Sequence, residues 1–377
     1  MKRISKILFV LKLPILLFVL SQLVLMIVLI YEGQEYTLAS TWIRWDAGHY
    51  IGIAEKGYEF FPCAGHFGYP EDALDMCGNT GWFPGYPWVL KVFSVFFGDL
   101  NMLAPAVSKL MLFLSILLFS QIANIKKVNL TNVLIVGVPT FWFGFIYYSS
   151  AFPISTLVFV MLLGVYFFMK KRKVPLLLAC AIASVIYPTG FLFSIAISLT
   201  LLITTGRNWK KVLTALTPIL FGFIGVCLVF LSMQVQVNDW SAFIQVQTKY
   251  GHGLHNPLRS IKGMLNGLTL DFSNRNNYII IQSLSVLILY GLTTILFIRK
   301  EYYKDKLFLF AFVFFTIYLG FPWLVGGELS MYRAEAVLLP ATFIYKDLSR
   351  KWLVMLNLVL LLIGGVMCHL FLIDVLY

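Results

Sequence analysis

Apolar residues run almost unbroken from position 7 to position 30, after a start that holds Lys2, Arg3 and Lys6. A run of this length predicts a bilayer-spanning helix, because about 20 apolar residues bridge the hydrocarbon and no unpaired backbone group is tolerated there. The charged start and apolar core are also those of a signal peptide. No small-residue cleavage site follows, and Tyr31-Glu32 ends the run, so it reads as an uncleaved first span. The pattern recurs along the chain and predicts about eleven spans in all, the others near 103–124, 133–150, 152–169, 174–188, 189–204, 212–233, 278–298, 307–325, 334–345 and 352–373. The pairs that meet near Ser150 and Pro188 would form tight or re-entrant hairpins.

The polar positions between the runs are unevenly spread. Connections on one side are short, whereas residues 31–102 and 234–277 make two long loops on the other. Loops of such length usually function or carry structure of their own. No internal repeat or linker divides the chain, so residues 1–377 read as one all-α polytopic membrane domain. Within the first loop, Thr41 to Lys56 predicts an amphipathic helix closed by Gly57, with Trp42, Trp45, Ile51 and Ile53 suited to the membrane interface. Trp82-Phe83-Pro84-Gly85-Tyr86-Pro87 then breaks the chain before a short apolar stretch, 88–97, expected to be re-entrant or interfacial.

Composition agrees with lipid as the solvent: 60% of residues are hydrophobic, 12% are charged, and mean hydropathy is +0.85. Charge adds orientation. With the N-terminus in the cytoplasm and sides alternating at each span, the cytoplasmic segments hold 20 of the 29 basic residues but only Glu301, Asp305 and Asp347 of the 17 acids. That is +17 inside against −5 outside, the positive-inside asymmetry. The basic residues sit in short clusters at span ends, so the basic balance implies no nucleic-acid partner. Nine of the acids lie in the first loop.

Candidate chemistry concentrates in that loop. On a helix, Asp46, His49 and Tyr50 stand at i, i+3 and i+4 and share a face. A carboxylate, an imidazole and a phenol placed together can take a proton from a substrate hydroxyl and orient it. The same triplet also fits a helix-start acid with interfacial aromatics beside it. Cys63 and Cys77 share the loop in an oxidising compartment and are expected to form a disulfide; a zinc site with His66 is the alternative and lacks an obvious fourth ligand. Cys180, Cys227 and Cys368 fall in spans as ordinary apolar thiols.

Trp45-Asp46-x-x-His49-Tyr50-x-x-Ile53-Ala54-x-x-Gly57-Tyr58, followed by Trp82-Phe83-Pro84-Gly85-Tyr86-Pro87, resembles the first luminal loop of PIG-V-type mannosyltransferases and their bacterial relatives. Tyr187-Pro188-Thr189-Gly190, the stretch from Trp240 to Gly251, and Met331-Tyr332-Arg333 with Pro340 agree more loosely and in the same order. The resemblance implies a GT-C-like fold and a polyprenyl-phosphate sugar as donor, with mannose the default. It also implies a glycan or glycolipid acceptor and no metal or other cofactor. Asp46 aligns with the family's catalytic base, with His49 beside it. Stabilising a leaving phosphate calls for cations outside and near lipid. Arg333 is the first candidate and Lys249, His252 and Lys109 are further ones, while Arg44 and Tyr50 flank Asp46 in the motif. Lys109 could instead snorkel, and Arg333 could instead pair with Glu335 or Glu328. Family members often carry Arg where this chain has Tyr187. The expectation is therefore a hexosyltransferase of a bacterial plasma membrane, its site on the extracytoplasmic side. A transporter or flippase for a lipid-linked glycan, or a non-catalytic partner subunit, are the alternatives. Transporters place ionisable groups mid-membrane, whereas these spans are nearly free of charge.

Overall fold

The computed structural model describes residues 2–205, 208–251, 253–254, 256–269, 274, 276–325 and 331–374, with side chains from residue 10. In chain order the α-helices are α1 (Lys2–Tyr31), α2 (Ala39–Trp42), α3 (Ala47–Lys56), α4 (Gly85–Phe97), α5 (Leu100–Ile122) and α6 (Leu130–Thr140). Then come α7 (Ile154–Met169), α8 (Lys173–Ile186), α9 (Gly190–Thr205), α10 (Trp209–Val237) and α11 (Ala242–Lys249). The last are α12 (Pro257–Asn266), α13 (Asn276–Arg299), α14 (Lys306–Leu324), α15 (Met331–Ala336) and α16 (Arg350–Leu372). One small ribbon departs from an all-α reading: β1 (Phe60–Pro62) pairs antiparallel with β2 (Met76–Gly78), placing Phe61 opposite Cys77.

Among the described residues, six helices are long and apolar enough to cross a membrane: α1, α5, α10, α13, α14 and α16. Each coincides with one of the expected spans. Of the other five, α6, α7, α8 and α9 are apolar but have 11, 16, 14 and 16 residues. At 1.5 Å per residue none reaches the roughly 30 Å of a hydrocarbon core unaided. The run 133–150 is cut where Phe141 follows Pro139 out of the helix and the chain turns through Gly144 into a 3-10 segment, Phe145–Tyr148. The run 334–345 is not one α-helix either. It is divided between α15 and a 3-10 segment, Leu339–Asp347, with Pro340 at its start.

The short helices are well covered. α8 and α9 form a hairpin packed on α10, and α7 lies between α5 and α8. Their inward faces join one continuous core of buried aromatic and aliphatic side chains, including Trp142, Phe143, Tyr148, Phe193 and Phe310. Outward faces of the long helices stay apolar and exposed, as at Leu220, Phe223 and Leu231 on α10 or Leu358 and Leu362 on α16. An apolar rim around an apolar core is what a lipid solvent permits.

The first loop folds onto one end of this bundle, the loop end, and corrects two expectations. Thr41 to Lys56 is not a single helix. The Trp42 carbonyl accepts a hydrogen bond from the Ala151 N–H (3.0 Å), which denies it to the helical partner four residues on. The chain passes through Trp45 at φ 43° and restarts as α3 at Asp46. Nor do the apolar residues face the membrane surface. Trp42, Ile51 and Ile53 are 1%, 6% and 5% exposed: α2 and α3 lie on α5, Trp45 packs on Phe371 of α16 at 5.1 Å, and Ile53 packs with Val185 of α8 and with Val229 and Met233 of α10.

Candidate functional site

Asp46 occupies the N-cap position of α3, its carbonyl accepting from the His49 and Tyr50 N–H groups at 3.0 and 3.4 Å. Its carboxylate makes no capping bond and is turned to the loop end of the bundle, where it forms an ion pair with Arg333 of α15. The two side chains are 25% and 13% exposed, so the pair is largely shielded yet reachable. Arg333 also lies over the Phe152 ring at 5.7 Å. Of the alternative partners for Arg333, the Glu335 carboxylate accepts from Gln282, and Glu328 lies outside the described residues.

His49 and Tyr50 leave the start of α3 in different directions. The His49 ring stacks on Trp82 at 3.7 Å and 14°. Tyr50 is buried edge-on to Tyr86 and Phe152, at 5.9 and 6.4 Å. Trp82 is held in turn by Tyr58, whose hydroxyl donates to the Trp82 carbonyl at 3.0 Å. Gly85 explains the Pro-Gly break after it. A Cβ there would lie 2.6 Å from the Ile186 Cα, so α4 can meet the end of α8 only without a side chain. That contact seats the Trp82–Pro87 segment beside Tyr187, which closes α8. Tyr187 shares the electrostatic neighbourhood of both Asp46 and Arg333.

The second loop is stitched to the first. Gln247 donates to the Gly81 carbonyl at 3.0 Å, and Thr80 to the Ala242 carbonyl at 3.4 Å. α11 is thereby laid along the β ribbon, and Tyr250 comes edge-on to Trp82 at 6.5 Å. Lys249 reaches over the Tyr250 and Tyr69 rings, at 5.0 and 5.7 Å, and close enough to His49 to oppose its protonation. Cys63 and Cys77 are joined by a disulfide that ties the ribbon beneath Lys249, whose Nζ is 3.6 Å from the Cys77 sulfur. No group of three or more metal-ligating side chains occurs among the described residues.

Two other candidate cations are placed differently. Arg44 pairs with Asp374 at 2.5 Å and fastens the first loop to the end of α16. Lys109 rests on the faces of Trp42 and Tyr36, at 3.9 and 4.1 Å, in a set of contacts separate from the Asp46–Arg333 pair. His252 lies outside the described residues. Sequence reading missed Tyr147, whose ring is 5.9 Å from Tyr332 and 5.1 Å from Phe152, and it missed Gln282. A glutamine between Ile281 and Ser283 in an otherwise apolar run was the signal available, since a buried amide in a span needs a partner. No protein-family model matches the chain, and no curated protein matches it at significant similarity.

Burial is the main influence on His49 and lowers its pKa; Asp46 opposes that and Lys249 adds to it. The imidazole is therefore neutral at neutral pH, able to accept or donate but not to serve as a fixed cation. A histidine that resists protonation when folded makes stability rise with pH, because the unfolded chain binds the extra proton. Melting midpoints of the detergent-purified protein should fall as pH drops from about 6.5 towards the lowered folded value. His49→Phe, which keeps the stack on Trp82, should flatten that segment of the profile. An unchanged slope in the variant would assign it to other groups.

Proposed function

We propose that the chain is a membrane glycosyltransferase of PIG-V type, with a GT-C-like fold of about eleven membrane segments. It would move a hexose, mannose by default, from a polyprenyl-phosphate carrier to a hydroxyl of an extracytoplasmic glycan or lipid-linked acceptor. One observation carries the reading. Segments far apart in sequence, around Asp46, Trp82, Tyr187, Tyr250 and Arg333, meet at the loop end about the Asp46–Arg333 carboxylate–guanidinium pair. They are the segments in which the sequence resembles that family.

The chemistry asks little else of the protein. The acceptor oxygen attacks the anomeric carbon as the bond from that carbon to the phosphate oxygen breaks, and Asp46 takes the acceptor proton. The sugar phosphodiester carries one negative charge, whereas the departing polyprenyl phosphate gains a second. A guanidinium beside the phosphate therefore binds the transition state more tightly than the ground state. Arginine's planar fork suits a carboxylate on one edge and a phosphate on another. Arg333 can thus yield part of its hold on Asp46 as phosphate charge grows. The loop end would face away from the cytoplasm, in keeping with the basic residues gathered at the other end.

The deciding experiment incubates purified protein with a panel of polyprenyl-phosphate hexoses and membrane glycolipid extract, following sugar loss from the carrier. Mannosyl carrier should be consumed, with sugar appearing in the glycolipid fraction. If every carrier stays intact while lipid-linked glycan crosses vesicles holding the protein, the transporter reading replaces this one.

A further inference from the structure

α15 carries Arg333 but has only six residues, too few to be stable alone. Side chains from elsewhere in the fold bond its backbone. Gln282 of α13 donates from Nε2 to the Tyr332 carbonyl at 3.3 Å and to the Glu335 carboxylate at 2.6 Å. Trp142 donates to the Glu335 carbonyl at 3.0 Å, and the Tyr148 hydroxyl to the Ala336 carbonyl at 2.5 Å. The last two carbonyls belong to the final turn, where a helix has no internal donor to offer; the Glu335 carbonyl also accepts from the Leu338 N–H beyond the helix, at 3.1 Å. Gly144, at φ 69°, completes the seat: a Cβ there would come 2.9 Å from the Tyr332 carbonyl, so the turn into Phe145–Tyr148 lies flat on α15.

These contacts are internal. Gln282, Trp142 and Tyr148 are 0% exposed and Glu335 is 3% exposed. Gln282 is the seventh residue of α13, about 9 Å along the helix from its start. A carboxylate and an amide at that depth cost more to bury than leucines of similar size, which would pack the two helices at least as firmly. What the polar pair adds is direction. Residues 333 and 335 are two apart, about 200° around a helix, so fixing one sets the heading of the other. Both contacts of the Gln282 amide nitrogen are acceptors, which also settles which way the amide faces.

We propose that Gln282 and Glu335 are positioning residues, whose hydrogen bond sets the rotation of α15 and so aims Arg333 at Asp46 and at the substrate anion. The consequence for transfer rests on the glycosyltransferase reading; the consequence for Arg333 does not. Two variants separate geometry from charge. Gln282→Leu/Glu335→Leu removes donor and carboxylate together and leaves neither buried without the other. Glu335→Gln keeps an acceptor oxygen for Gln282 but removes the charge.

The experiment uses the full chain in detergent and measures phenylglyoxal labelling of Arg333 by mass spectrometry, beside the melting midpoint and the KM and kcat for a mannosyl-phosphate polyprenol. In the double variant, Arg333 labelling should rise several-fold over the wild type. KM for the carrier should rise about tenfold, the worth of one hydrogen bond to a charged group, with a smaller change in kcat. Glu335→Gln should label like the wild type. If the double variant does not fold, Glu335→Met leaves Gln282 on the Tyr332 carbonyl and must raise labelling in its place. Wild-type labelling in a folded double variant, or in Glu335→Met, overturns the proposal. So does Glu335→Gln labelling as strongly as the double variant, since charge rather than aim would then be the cause. If the wild type transfers no sugar, the labelling result still stands and the function alone has failed.

Discussion

Asp46→Asn is expected to lower sugar transfer by about 10²–10⁴-fold, the usual cost of removing a general base. The substitution keeps the size of the side chain and an oxygen that Arg333 can still bond, so expression and carrier binding should persist. The geometry makes the outcome specific to this acid. Asp46 is the first-loop carboxylate paired with the Arg333 guanidinium, whereas Glu55 and Glu59 are exposed on the far side of α3 and beyond its end. Substituting either of those should leave turnover within about twofold, as for other surface changes. His49 stacks on Trp82, so it should contribute by shaping the site more than by holding the carboxylate. The rates come from single-turnover consumption of a labelled carrier sugar. A near-normal rate for Asp46→Asn would remove Asp46 as base and turn suspicion to another loop acid. Loss of carrier binding in that variant would recast it as an organiser of the site.

Much of the fold was legible because lipid imposes a simple code. A helix that must cross hydrocarbon announces itself by length and by the absence of charge, and the six long helices fall where the apolar runs predicted them. Where a tertiary contact decides, the code is silent. Nothing in Thr41 to Lys56 says that the Trp42 carbonyl will be taken by the Ala151 N–H, yet that bond breaks the helix and puts Asp46 at a helix start. The apolar face expected at the membrane surface was instead consumed by packing on α5, on Phe371 of α16 and, at Ile53, on Val185 of α8 and Val229 and Met233 of α10, because an amphipathic pattern states that a face is covered and not by what. The run 133–150 carried its own correction in Pro139 and Gly144, which end one helix and turn the chain. Motif residues 46, 82, 187, 250 and 333 were each visible, but their meeting depends on Gly85 against α8 and on α11 stitched to the ribbon. These are long-range contacts with no local period.

Arg333 is the site where stability and chemistry should come apart. Arg333→Ala leaves Asp46 with its partner gone in a largely shielded position, and the unpaired carboxylate should cost about 1–3 kcal/mol of stability. Carrier use should fall further in this variant than in Arg333→Lys, which keeps the charge but replaces a planar fork with a point charge. The double variant Asp46→Asn/Arg333→Gln settles what the pair is for. An amide facing an amide restores a neutral hydrogen bond, so its melting midpoint should recover most of what Arg333→Ala loses. If the pair were only a structural clamp between α3 and α15, function would recover with it. For a base and a phosphate partner, transfer should stay at the floor set by Asp46→Asn despite a normal fold. The measurements are melting midpoint and carrier-sugar turnover on the same preparations. Wild-type turnover in a folded Arg333→Ala protein would remove the phosphate role altogether. Recovery of turnover in the double variant would leave the ion pair as a strut and the reaction without its proposed centre.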